Sequence, residues 1–373
     1  MCIFAHNAHV RVIYNLAMDK ELFHDMLNID STSGKEAALA DFLAERLLTP
    51  HCRVEKYDVG DGTVNLLFSW GKPDVVFCSH LDTVPPYIAP SSDGEVVSGR
   101  GSCDAKGQIF AMYEACKVLE SKGYDGFGLL LLAGEETGSF GAKAFRDQYP
   151  GAEWVIVGEP TDNFMASASK GTKSFEVTFE GKAFHSGYPQ YGLSAVEMFN
   201  DFINALRSIV CPEDQILGDT TWNVGKLVSD NPQNILSDRL SCRVYFRTTF
   251  ESDEMVCNIM RNIAGEDARL RFGRRRAQDG SDMVGKDVAQ WQKSMSVKAF
   301  GGDSPTRYEV LDGFPSKPVA FGSDAPQLTN FRKKILCGPG SILVAHRPEE
   351  HIHLSDLQAA IENYVNIFEK IKG

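Results

Sequence analysis

Three short apolar runs constrain this chain more than any other feature. Val75 to Phe77, Gly128 to Ala133 and Trp154 to Val157 contain no charged residue and almost no polar one. Runs of that length without alternation are the mark of strands buried on both faces. A helical pattern starts at Lys106, with Ile109, Met112, Ala115, Cys116 and Leu119 on one side. Strands alternating with helices predict an α/β fold with a mainly parallel sheet wound by crossovers. Ligands of such sheets bind beyond the carboxyl ends of the strands.

Each of the three runs leads there into residues of kinds that can hold metals. The first passes through Cys78 and Ser79 to His80, with Asp82 two positions on. The second breaks at Gly134-Glu135-Glu136-Thr137-Gly138, and the third ends in Gly158-Glu159-Pro160. Asp104 follows the Gly99-Arg100-Gly101 loop and precedes a helix, on the same side of the sheet. A His leaving a buried strand can bind a metal through one ring nitrogen and donate to a carboxylate through the other. The bland alternative for His80 is a polar residue at a strand end beside a turn. His346, shortly after the turn signal Gly338-Pro339-Gly340, completes a set, with His351 and His353 as competitors for its place.

The set His80, Asp104, Glu136, Glu159 and His346 holds two imidazoles and three carboxylates. Two divalent ions can share it if one carboxylate bridges, leaving open positions for water and substrate. Mixed nitrogen and oxygen ligands suit Zn2+, with Co2+ or Mn2+ as alternatives. Glu135 is expected not to share an ion with its neighbour Glu136, which frees it to act as a general base.

The chain has 373 residues and a net charge of −12. That length suits two domains. The negative charge argues against nucleic acid and anionic membranes as partners. The nine cysteines are an odd number, widely spaced and without a CxxC pair, which favours a reducing compartment over a disulfide framework. No apolar run approaches a membrane span, and the first twenty residues carry no clean secretory signal. A cytoplasmic protein is expected, with Met18 a candidate natural start. Cys103 adjoins Asp104 but lacks a spare base. Arg274-Arg275-Arg276 reads as a solvated domain edge.

A capping box is expected around Ser33 and Glu36, opening a helix through Leu39, Phe42, Leu43 and Leu47 that Pro50 ends. From about Thr172 the character changes. Strands at 174–181, 221–228, 240–249 and 268–272, with helices at 193–206 and 252–263, give the β-α-β-β-α-β order of a ferredoxin-like unit. Sheet signals resume at 317–321 and 334–337, and an amphipathic helix closes the chain. The expected organisation is a discontinuous catalytic domain, 1–171 and 281–373, interrupted by an inserted domain, 172–280.

Ser79-His80-Leu81-Asp82-Thr83-Val84, Gly99-Arg100-Gly101-Ser102-Cys103-Asp104-Ala105-Lys106-Gly107, Gly134-Glu135-Glu136-Thr137-Gly138, Gly158-Glu159-Pro160-Thr161 and Ala345-His346 resemble, in order, the motifs of the M20 metallopeptidase and deacylase family. The resemblance covers nearly all of the chain after Met18, except for 275–305, which does not align. It implies that His80, Asp104 and Glu159 hold one metal. Asp104 would bridge to a second held by Glu136 and His346. Glu135 would serve as base and then proton donor, and Asp82 would orient His80. It also implies a cis peptide between Asp104 and Ala105. Gly181-Lys182-Ala183-Phe184-His185-Ser186 is similar to the family segment whose histidine stabilises an oxyanion, often in a partner subunit. His185 takes that place, and a homodimer through the inserted domain follows. Asn234, Arg247 and Ser323 resemble substrate contacts. Arg247 could grip an α-carboxylate, against the alternative of a surface ion pair.

The expected activity is hydrolysis of a linear amide. A small N-acyl amino acid is the first expectation, since Glu159 resembles the deacylase side of the family. Acetylornithine deacetylase, in arginine biosynthesis, is the type preferred. A dipeptidase or carboxypeptidase is the close alternative, and a catalytically silent metal- or ligand-binding relative the distant one.

Overall fold

The computed structural model describes residues 18–264 and 294–373. In chain order the principal elements are α1 (Lys20–Asn28), α2 (Ala37–Arg46), β1 (Arg53–Gly60), β2 (Thr63–Trp70), β3 (Val75–His80), α3 (Lys106–Ser121), β4 (Phe127–Leu132), α4 (Phe140–Gln148) and β5 (Trp154–Val157). They continue with β6 (Gly171–Glu180), α5 (Ala195–Arg207), β7 (Thr221–Val228), β8 (Arg239–Thr248), α6 (Asp253–Asn262), β9 (Met295–Ala299), β10 (Lys333–Leu336) and α7 (Leu354–Lys372). The chain divides into two compact units. The first runs to Ser167 and resumes at Tyr308–Lys317 and Ser323–Gly373; the second is Ala168–Arg307 with Pro318–Gly322. The boundary expected at 280/281 lies outside the described residues.

The first unit is built on a six-stranded sheet in the order β1-β2-β4-β3-β5-β10. The pairings among β4, β3, β5 and β10 are parallel, and β1 and β2 add an antiparallel edge. This is the mainly parallel α/β sheet that the apolar runs implied. Every residue of β3 and β4 is buried, as strands with helices on both faces must be. Close packing also dictates Gly128, where a Cβ would lie 2.9 Å from the Phe68 carbonyl oxygen. β1, which sequence patterning did not mark, is the exposed edge strand. Helix α3 is buried over most of its length, and α7 packs its apolar stripe, from Leu357 to Phe368, into the same core.

The expected capping box at Ser33 and Glu36 does not form. Ser33 N–H donates to the Thr83 carbonyl (3.0 Å), and Thr83 N–H donates to the Ser31 carbonyl (3.0 Å). That pairing draws 31–33 alongside the chain leaving β3. Helix α2 therefore starts at Ala37, with Glu36 at its N-cap making no side-chain capping bond to the helix. Glu36 Oε2 accepts from Gly34 N–H instead, at 2.9 Å.

The second unit is a four-stranded antiparallel sheet, β7-β8-β6-β9, with α5 and α6 supplying its apolar cover. This is the ferredoxin-like order, but its fourth strand is Met295–Ala299. The strand expected at 268–272 lies outside the described residues, as does the Arg274–Arg276 run. β9 was missed because its residues alternate weakly: only Met295 is buried, against Phe179 across the ladder.

Candidate metal centre

His80 ends β3 level with Leu132 at the end of β4, in a parallel register that brings two metal-binding segments to one edge of the sheet. The His80 side chain is buried. Its Nδ1 lies 2.9 Å from the Asp82 carbonyl oxygen and 3.4 Å from Asp82 Oδ1, and its Nε2 lies 3.0 Å from Asp104 Oδ1. One face of the ring is thus held by residue i+2, and the other addresses the cluster.

Asp82 does more than the sequence implied. Its Oδ1 accepts the Glu135 N–H (3.0 Å), and its Oδ2 accepts the Glu136 N–H (3.1 Å) and the Ser33 hydroxyl (2.9 Å). One buried carboxylate fixes the histidine and the loop carrying both glutamates. Gly134 makes the preceding turn at φ +66°, a region that L-residues with a Cβ avoid. Asn65 completes the loop's support, accepting from Ala133 N–H and donating to the Gly141 carbonyl, both at 2.9 Å.

Asp104 sits in the loop ahead of α3, and its peptide bond to Ala105 is cis. His346, on the segment after β10, places Nε2 2.7 Å from Glu136 Oε1 and 3.3 Å from Asp104 Oδ2. Two trios result, with candidate ligand atoms within 4.8 Å of one another: His80, Asp104 and Glu159, and Asp104, Glu136 and His346. Asp104 belongs to both. A third trio, His80 with Glu135 and Glu136, meets the same limit. Glu135 therefore stands closer to ligand distance than its expected exclusion from the neighbour's ion suggested. His351 and His353 meet edge to face at 5.8 Å between ring centroids instead, and belong to none of the three trios.

The charges of the cluster act on one another. Burial raises the pKa of Glu159, and the charge of Asp104 pushes it further up. Burial also carries Glu135 well above the usual carboxylate range, with Asp324, Glu136 and Asp104 adding to the rise against His80. Hydrogen bonds to Asp104 and Glu136 push His346 up to about 10. Burial opposes a charged His80, yet its bonds to Asp104 and Asp82 carry its pKa well up. Without metal, the imidazoles act as the counter-ions of buried carboxylates. The donor set of carboxylate oxygens and imidazoles fits two divalent ions sharing Asp104.

Glu350 escaped sequence reasoning, whereas Asp324 belongs to the Ser323-Asp324 pair that resembles a substrate-side loop of the family. Asp324 is 2 % exposed and its charge bears on Glu135 and Glu159. Glu350 accepts three backbone N–H groups of the Asp104 loop. Partners so distant in sequence leave no spacing to read. Ser323 is buried, and its hydroxyl accepts from Ala325 N–H at 3.3 Å. Cys103 is a buried thiol, pushed well up in pKa by burial and the Asp104 charge.

In the second unit, backbone pairing joins two sequence-distant candidates. His185 bridges Ile235, and Ser186 N–H donates to the Asn234 carbonyl at 2.9 Å. Both His185 and Asn234 are exposed, and His185 Nδ1 accepts from Gly187 N–H at 3.0 Å. Arg247, half-buried on β8, stacks over Tyr245 at 5.0 Å and makes no ion pair among the described residues. Among those residues the cysteines are free thiols, and no helix is long and apolar enough to cross a membrane.

The chain is similar to known proteins in sequence and in fold. A peptidase M20 domain-containing protein of Schizosaccharomyces pombe is 32 % identical over 359 residues, covering 92 % of this chain and 82 % of that one. A probable carboxypeptidase of Aspergillus clavatus is 30 % identical over 387 residues, covering 93 % and 88 %. Among solved structures, a tripeptidase of Staphylococcus aureus superposes with a TM-score of 0.74 at 18 % identity, over 94 % of this chain and 98 % of its own. A dinuclear metal-binding M20 peptidase of Bacillus subtilis gives 0.64 at 12 % identity, over 94 % and 97 %. Residues 76–370 match peptidase family M20/M25/M40, and with that match over most of its length the chain belongs to this family.

Proposed function

We propose that this chain is a dinuclear metallopeptidase that cleaves an amide bond next to a free α-carboxylate, as a dipeptidase or carboxypeptidase does. The observation that carries the reading is Asp104, shared by two ligand trios at the carboxyl edge of a parallel sheet. The names of the related fungal proteins favour peptide substrates over the N-acetylornithine type that the sequence motifs first suggested. His80 and Glu159 would hold one ion, Glu136 and His346 the other, with Asp104 between them. Zn2+ fits the mixed donors, with Co2+ or Mn2+ as alternatives. Bound ions would supply Lewis acidity toward the scissile carbonyl and make water acidic enough to deprotonate near neutral pH.

The remaining work falls to the chain. Glu135, anchored through its N–H to Asp82, takes the proton of the attacking water. It returns that proton to the amine as the C–N bond breaks. We assign His185 to the oxyanion, and Asn234 and Arg247 to substrate polar groups, Arg247 gripping the carboxylate with its fork. The second unit would also carry a homodimer contact; the sheet's outer strand β7 ends in exposed Leu227 and Val228.

The test is amine release by zinc- or cobalt-loaded protein from a panel of dipeptides, carboxypeptidase substrates and N-acyl amino acids, with Glu135→Gln as blank. Peptide cleavage absent from the blank supports the proposal. Release from N-acetylornithine or another acyl amino acid alone moves the chain to the deacylase side. Silence across the panel with two metals bound overturns both.

A further inference from the structure

Arg100 and Glu350 form a buried ion pair in the first unit, 2 % and 0 % exposed. Neither belongs to a ligand trio. Glu350 Oε1 accepts three backbone N–H groups, from Gly101 (2.9 Å), Cys103 (3.1 Å) and Asp104 (3.0 Å). Its Oε2 meets Arg100 Nη1. Successive N–H groups turned to one point make an anion site, and here the chain's own carboxylate fills it. Gly101, at φ +85°, provides the turn that aims them. Arg100 reaches outward from the same pair. Its Nε donates to the Pro86 carbonyl (3.3 Å), on the segment leaving His80, and its Nη1 to the Arg347 carbonyl (3.4 Å), next to His346. Glu350 itself lies four residues after His346.

The pair therefore ties three segments that carry candidate ligands: those of His80, Asp104 and His346. A charged pair in this position is not explained by stability, because an apolar pair of equal volume serves a core as well or better. It is explained by geometry, since a shared ligand must be held to within about half an ångström for two ions at once. We infer that Arg100 and Glu350 are positioning residues that preorganise Asp104 and His346 before metal arrives. The inference rests on the two-metal reading given above. Of the two ions, the one held by Glu136 and His346 depends on the pair more, because Glu350 shares a segment with His346.

The experiment titrates Zn2+ alone into metal-free protein, by calorimetry and by competition with a chromophoric chelator, for the natural chain, Glu350→Gln and Arg100→Lys. Gln keeps an oxygen for the three N–H groups but sets its amide against the guanidinium; Lys keeps the charge but loses the fork. Expected are two sites in the natural chain. In both variants one site should weaken by roughly 10–100-fold while the other changes less, and the cobalt absorption spectrum of the weakened site should change. No weakening of either site overturns the inference while leaving the two-metal reading standing, and equal weakening of both overturns the greater dependence of the ion held by Glu136 and His346. Failure of the natural chain to bind two ions overturns that reading first. A readout needing no variant is amide hydrogen exchange in the metal-free natural chain. Slow exchange at Gly101, Cys103 and Asp104 supports a preformed loop, and fast exchange there overturns it even if neither variant folds.

Discussion

Asp82 accepts the backbone N–H of Glu135 at 3.0 Å while holding His80 through Nδ1. A candidate metal ligand and the candidate base are thus referred to one buried carboxylate rather than built separately. Asp82→Asn retains the volume but in either orientation turns an NH2 group toward a backbone N–H of the glutamate loop, Glu135 or Glu136. Peptidase activity should fall by roughly 10–100-fold, with the far-ultraviolet circular dichroism unchanged. Activity within twofold of the natural chain would mean the loop holds itself.

Glu135→Gln separates chemistry from binding. The amide cannot take a proton, so kcat should fall by roughly 100- to 10,000-fold. Two metals should still bind, because Glu135 is outside the two trios that share Asp104. Metal content by emission spectroscopy on the inactive variant checks this. Loss of one ion would instead place Glu135 among the ligands, as its proximity to His80 and Glu136 allows.

Metal uptake at neutral pH should release protons. His346 is held protonated up to about pH 10 by Asp104 and Glu136, and a ligand must give up its proton to bind. Calorimetric titration in buffers of different ionisation enthalpy counts the protons released. In the metal-free protein the same shift is a stability statement. The folded pKa lies above the unfolded value of about 6.5. The stabilisation from His346 is therefore full below that pH and is lost as pH rises to about 10. Denaturation of metal-free protein across this window should show the decline, and His346→Gln should reduce it, leaving the share of His80, whose pKa is also raised.

Gly134→Ala tests the turn that presents Glu135. The position has φ +66°, and a Cβ there would lie 1.7 Å from the Phe140 ring. The backbone conformation alone should cost about 1–2 kcal/mol in urea unfolding, with activity lost alongside. Adding Phe140→Ala removes the ring and not the backbone strain, so it should restore only part of the stability. Full recovery would show that crowding was the whole effect.

Much of this protein is written locally. Unbroken apolar runs determined the buried strands, because a strand covered on both faces has no position for a polar side chain. The motifs at their ends named His80, Glu135, Glu136 and Glu159, because parallel strands bring their carboxyl ends to one edge whatever lies between, and loop motifs added Asp104 and His346. Alternation likewise marked most of the ferredoxin-like unit, and failed at β9, where little is buried. Other features required the tertiary structure. The expected capping box gave way when residues 31–33 paired with the chain after β3, a contact stronger than local propensity. Glu350 reaches the Asp104 loop across 246 positions, and Asp82 reaches Glu135 across 53. Hydrogen bonds at such separations depend on where two segments meet in space, and no periodicity in the sequence records that.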